Sequence, residues 1–128
     1  MKILGAEITL TVTDPRESSR FFCTHLGFRE SISDADFACL ERDDADVAIV
    51  LVRRDPEAPP PATGPGPTGV LVSFDVADIA AESDRLSEEG APVTAPLHRA
   101  PAGRWLLRLT DPNRVDVQLT QWAPPAGA

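Results

Sequence analysis

The chain has 128 residues, of which 42% are hydrophobic and 25% charged, as expected of one soluble domain or of two small modules sharing a core. A formal net charge of −8 argues against nucleic acid as a partner, since phosphates call for clustered cations. No apolar run approaches the ~20 residues of a bilayer span. The start "MKILGAEITL" also lacks a signal peptide's build, so the expectation is a cytoplasmic protein without a membrane partner.

In chain order, "AEITLTVT" (6–13) alternates Ile8, Leu10 and Val12 with Glu7, Thr9 and Thr11, the pattern of a half-buried strand. Asp14-Pro15-Arg16-Glu17 then supplies a capping acid, a proline at the first helical position and a glutamate one turn on. Phe21, Phe22 and Leu26 fall on the buried side of the predicted helix, His25 sits among apolar neighbours in a structural position, and Gly27 ends the helix. Three short strands are expected at 28–33, 37–42 and 47–53, with the acidic turn "RDDAD" before the last. Cys23 and Cys39 have no CxxC spacing and read as small buried hydrophobes in a reduced protein.

Residues 55–68 hold six prolines and two glycines, a linker composition. After it the pattern starts again. Val70, Val72, Phe74 and Val76 alternate with Leu71, Ser73 and Asp75, and Asp78 opens a helix that Gly90 ends. Val12-x-Asp14 recurs as Val76-x-Asp78, and Val47, Ile49, Leu51 recur as Val115, Val117, Leu119, each closing strand following an acidic turn.

The pattern predicts an α+β fold of two βαβββ modules in tandem, 1–54 and 69–123, with a short tail at 124–128. In each module a helix covers the apolar side of a twisted sheet. The opposite faces carry Glu7, Thr9, Thr11, Ser73, Asp75, Asp116, Gln118 and Thr120, and they line a common cleft if the two sheets curl together. A solvated sheet alternates in the same way, so periodicity leaves both readings open.

"VTDPRESSRFFCTHLGF", "FDVADI" and "APAGRWLLRLTDPNRVDVQL" together resemble the vicinal oxygen chelate superfamily, which includes glyoxalase I, extradiol dioxygenases and bleomycin-resistance proteins. The chain departs from the family pattern at Phe22, where tyrosine is usual, and at Asn113-Arg114, where a glycine usually follows Asp-Pro. The resemblance implies paired βαβββ modules and a curved, mixed-sheet cleft. It also implies that the positions holding a divalent metal in the family's enzymes are Glu7, Val50, Leu71 and Gln118 here. One carboxylate, one neutral amide and two aliphatic side chains are a poor ligand set, so neither a metal nor another cofactor is expected. His25 and His98, the latter in the loop-like "APLHRAPAG", do not complete it.

"SDADFACLERDDADVAIVL" is similar to the bleomycin-binding branch, in which an aromatic at the Phe37 position lines the ligand groove. The leading expectation is therefore a homodimeric, metal-independent binding protein that sequesters a cationic or aromatic small molecule. Its contacts would come from Glu7, Thr9, Thr11, Phe37, Val50, Leu71, Ser73, Asp75, Trp105, Asp116 and Gln118, with Trp122 as a further stacking surface. A second reading, a metal-free isomerase, cyclase or lyase, would use Glu7 and Asp116 as acid and base. A metal-dependent glyoxalase or dioxygenase is the third.

Overall fold

The first alternating run forms β1 (Ala6–Val12) in the computed structural model, which describes residues 1–54, 70–100 and 103–122. The proline-rich stretch 55–68 and the tail 124–128 lie outside the described residues. Asp14 caps α1 (Pro15–Leu26) as its carboxylate accepts the Arg16 N–H at 3.1 Å. Gly27 closes the helix at φ 69°, a left-handed conformation that glycine adopts without penalty. β2 (Arg29–Ser33), β3 (Phe37–Glu41) and β4 (Val47–Arg53) complete the module in the order β1-β4-β3-β2. β1 pairs parallel with β4, and the other pairings are antiparallel.

Period-two alternation decides what the helix covers. Leu10, Val12, Ile49, Leu51, Ala38 and Leu40 are buried on one face, and α1, packed on β3 and β4, buries Phe21, Phe22 and Leu26. Phe22 is fully buried, with its ring edge-on to Phe21 at 5.6 Å and to Phe28 at 5.5 Å. A tyrosine hydroxyl would need a partner in that apolar setting, so phenylalanine suits it, and its burial contributes roughly 1.5–3 kcal/mol. Arg42 leaves the acidic turn to donate to the Leu26 carbonyl at the end of α1, to bond Asp44 at 2.7 Å and to lie over the Phe28 ring.

The second module repeats the plan. β5 (Leu71–Asp75), α2 (Ile79–Glu88), β6 (Val93–Arg99), β7 (Trp105–Thr110) and β8 (Asp116–Gln121) give the sheet order β5-β8-β7-β6. Asp78 accepts the Ala81 N–H at 3.1 Å, and the Gln121 side chain takes the Ile79 N–H at 2.7 Å, tying the helix start to β8. Ile79 and Leu86 of α2 are buried, as are Val72, Leu107, Leu109, Val117 and Leu119 on the sheet. Asp111 organises the turn before β8 by accepting the N–H groups of Asn113 and Val115, each at 2.8 Å. Arg114 sits in this turn at φ 66°, a left-handed conformation that costs a non-glycine residue about 1 kcal/mol.

The chain forms two compact units, Met1–Gly66 and Pro67–Ala128. Among the described residues no helix is long and apolar enough to cross a membrane. His98 corrects one expectation: it lies within β6 and not in a loop, its Nδ1 2.7 Å from the Pro96 carbonyl. Irregular β6–β7 pairing accommodates the proline inside that strand.

Candidate functional site

Each sheet turns one face away from its helix, and strand register sets the rows on it. In the first module Thr9, Val50, Cys39 and Ile32 form one row, with Thr11, Val52 and Phe37 in the next. Glu7 stands opposite Ala48. Glu7, Thr9, Thr11 and Ile32 are exposed and Phe37 is half-buried. Glu7, Thr9 and Thr11 make no side-chain hydrogen bond among the described residues. This face offers an acid, two hydroxyls and an aromatic edge around an aliphatic middle.

The second module's face is wired together. Its rows are Leu71–Asp116–Thr110, Ser73–Gln118–Arg108 and Asp75–Thr120–Leu106. Thr110 donates to Asp116 at 2.8 Å, and Thr120 donates to Asp75. The Gln118 amide nitrogen lies 3.4 Å from the Ser73 hydroxyl, and its oxygen lies 3.4 Å from an Arg108 Nη. Gln118 and Thr120 on the central strand are 2% and 1% exposed, whereas Ser73 and Asp75 beside them are exposed and Asp116 and Arg108 are half-buried. Asp75 and Asp116 make no ion pair among the described residues.

Thus the register brings Ser73, Asp75, Asp116, Gln118 and Leu71 together on one module, and Glu7, Thr9, Thr11, Val50 and Phe37 together on the other. Trp105 does not join them. It shares a strand face with Leu107 and Leu109, the helix-covered core side, because it is an odd number of residues from Leu106 and Arg108. It therefore lies apart from the face that carries Ser73, Asp75, Asp116 and Gln118. Trp122 is exposed, with the Arg104 guanidinium 5.4 Å from its ring centroid. His25 packs edge-on against Phe21 at 5.5 Å.

Arg108 is the residue that the sequence reading missed. Its signal is a lone charge in the apolar strand "WLLRLT", at the same alternation phase as Thr110.

The positions that would hold a metal do not suit one. Glu7 and Val50 lie on the first face, Leu71 and Gln118 on the second, and neither Val50 nor Leu71 has a donor atom. Gln118 spends its amide within the sheet. Among the described residues no three His, Cys, Asp or Glu side chains are grouped to hold a metal ion.

Elsewhere, a groove of about 490 Å3 runs between α1 and β2–β3, lined by Arg16, Arg20, Cys23, Glu30, Ser33 and Asp34. Ser19 donates to Glu30 at 2.5 Å, and hydroxyl hydrogen bonds from Ser19 and Ser33 hold the Glu30 carboxyl below its usual range. Burial pushes the Cys23 thiol up, which favours its protonated form.

Two tandem βαβββ modules, each a four-stranded mixed sheet with one helix, define the class. Residues 6–119 match the family model of the Glyoxalase/Bleomycin resistance protein/Dioxygenase superfamily, and the chain belongs to that superfamily. The fold is similar to that of a lactoylglutathione lyase from Agrobacterium tumefaciens, with 20% identity, a TM-score of 0.68 and coverage of 91% of each chain. It is also similar to TioX from Micromonospora sp. ML1, with 22% identity, a TM-score of 0.69 and coverage of 93% of this chain and 98% of that one. A superfamily member from Sphaerobacter thermophilus DSM 20745 gives 19% identity and a TM-score of 0.69 over 94% and 98% of the two chains. No curated protein matches the sequence significantly. At these identities the likeness carries the fold, and function has to be argued from the site.

Proposed function

We propose that the protein is a metal-independent small-molecule binding protein that holds its ligand against the polar face of the second module without changing it. The observation that carries this reading is the replacement of metal donors by aliphatic side chains at Val50 in the first module and Leu71 in the second, together with the second module's hydrogen-bonded polar face. Asp75 and Asp116 keep uncompensated charge there, which suits a ligand with a basic group, and Leu71 and Leu106 add apolar surface at its ends. On the first module Phe37, with Val50 and Val52 beside it, is a surface for an aromatic guest. A homodimeric assembly belongs to this proposal.

Native mass spectrometry of protein purified without chelator, incubated with a panel of basic aromatic antibiotics, tests the reading. The expected result is a metal-free dimer that gains one or two intact drug masses. A drug recovered with altered mass, or a stoichiometric divalent metal that survives purification, contradicts it.

A further inference from the structure

Among the described residues Arg108 is the one with a buried side-chain nitrogen left without a hydrogen-bond partner. Its side chain makes a single hydrogen bond among the described residues, the 3.4 Å contact from an Nη to Gln118. No carboxylate among the described residues lies within ion-pair distance of it. Nearby acids are available in principle. Asp116 is its diagonal neighbour across the β7–β8 pair, at a spacing of ~7–8 Å that a long side chain can span. Asp116 instead accepts from Thr110, and Asp75, on the row beyond, accepts from Thr120. The face thus engages its acids with hydroxyls and leaves its guanidinium unneutralised.

A half-buried arginine whose Nε is buried without a partner bears a desolvation cost that calls for an explanation. A structural arginine would be paired with one of those acids. An arginine kept for an incoming acceptor would look as Arg108 does, with a weak amide contact placing it and its fork undercommitted.

Resting on the binding-protein reading above, we propose that Arg108 is the specificity-determining residue of that site and docks an oxyanion of the ligand, a carboxylate in the first instance. The planar guanidinium offers parallel N–H donors that match the two oxygens of a carboxylate. The ligand class is then an aromatic or heterocyclic molecule bearing a carboxylate, with any basic group directed to Asp116 or Asp75 on the flanking rows. The net acidity of the chain hides this preference, because the anion is recognised by one local guanidinium and not by the overall field.

The test is isothermal titration of the full chain with three probes of one ring system: 1-naphthoate, the neutral 1-naphthamide and the cationic 1-naphthylmethylamine. Naphthoate is expected to bind about tenfold or more tightly than naphthamide. Arg108→Gln should erase that difference, the naphthoate affinity falling about tenfold or more, to the level of naphthamide. Arg108→Lys, which keeps the charge and loses the fork, should fall between them, and it carries the comparison if Arg108→Gln does not fold. Naphthoate binding no tighter than naphthamide, or equally well to wild type and both variants, overturns the proposal. If naphthylmethylamine then still binds, the binding-protein reading survives alone. Binding by none of the three overturns both.

Discussion

The two modules share strand order, pairing and helix placement, yet their open faces differ in kind. On the first, Glu7, Thr9 and Thr11 are exposed and make no side-chain hydrogen bonds among the described residues. On the second, Gln118 and Thr120 are almost fully buried, and Ser73, Asp75, Arg108, Thr110 and Asp116 are linked around them. One backbone plan therefore carries a loosely held surface in one copy and a preorganised polar surface in the other. Preorganisation is what a recognition site needs, since groups already held in place lose little freedom when a ligand arrives.

This contrast can be broken by mutation. Gln118→Ala should be the most damaging change, costing about 1–3 kcal/mol in urea unfolding because it strips Arg108 of its one side-chain acceptor among the described residues. Thr120→Val removes the hydroxyl from Asp75 in a buried place and should cost about 1–2 kcal/mol, whereas Thr11→Val on the exposed first face should stay within about 0.5 kcal/mol. Equal effects of the two threonine changes would mean that the faces are not different in kind. Arg114→Gly should stabilise the chain by up to about 1 kcal/mol, because glycine meets φ 66° without strain, though the looser unfolded chain offsets part of the gain.

The smallest expected effect concerns pH and lies on the helix side of the first module. Hydrogen bonds from Ser19 and then Ser33 depress the Glu30 pKa, so they favour its charged form in the folded state. The resulting stabilisation is complete above the ordinary glutamate range and is lost as pH falls through the folded-state value. Ser19→Ala should move the Glu30 midpoint upward in a side-chain NMR titration, and no upward movement would contradict the assigned cause.

Much of this architecture is legible in the sequence, for local reasons. Asp14-Pro15 with Gly27, and Asp78 with Gly90, bracket two helices whose caps form as those residues demand. Alternation in β1, β4, β5 and β8 assigns the faces correctly. Alternation cannot distinguish a solvated polar row from a buried one, so Gln118 and Thr120 gave no sign of their burial. The same counting, carried along β7, puts Trp105 with the core and Arg108 on the polar face, against the pull of aromatic residues toward ligand sites. His98 escaped because Pro96 reads as a loop residue until the irregular edge pairing of β6 is seen.

The central claim is that the second module's polar face, and not another surface, receives the ligand. Backbone 1H–15N chemical-shift mapping with 1-naphthoate addresses it most directly. The account predicts saturable shifts concentrated in 71–75, 106–110 and 116–120, with α1 unmoved. Shifts clustered instead on Arg16, Arg20 and Ser33, around the groove beside α1, would contradict it.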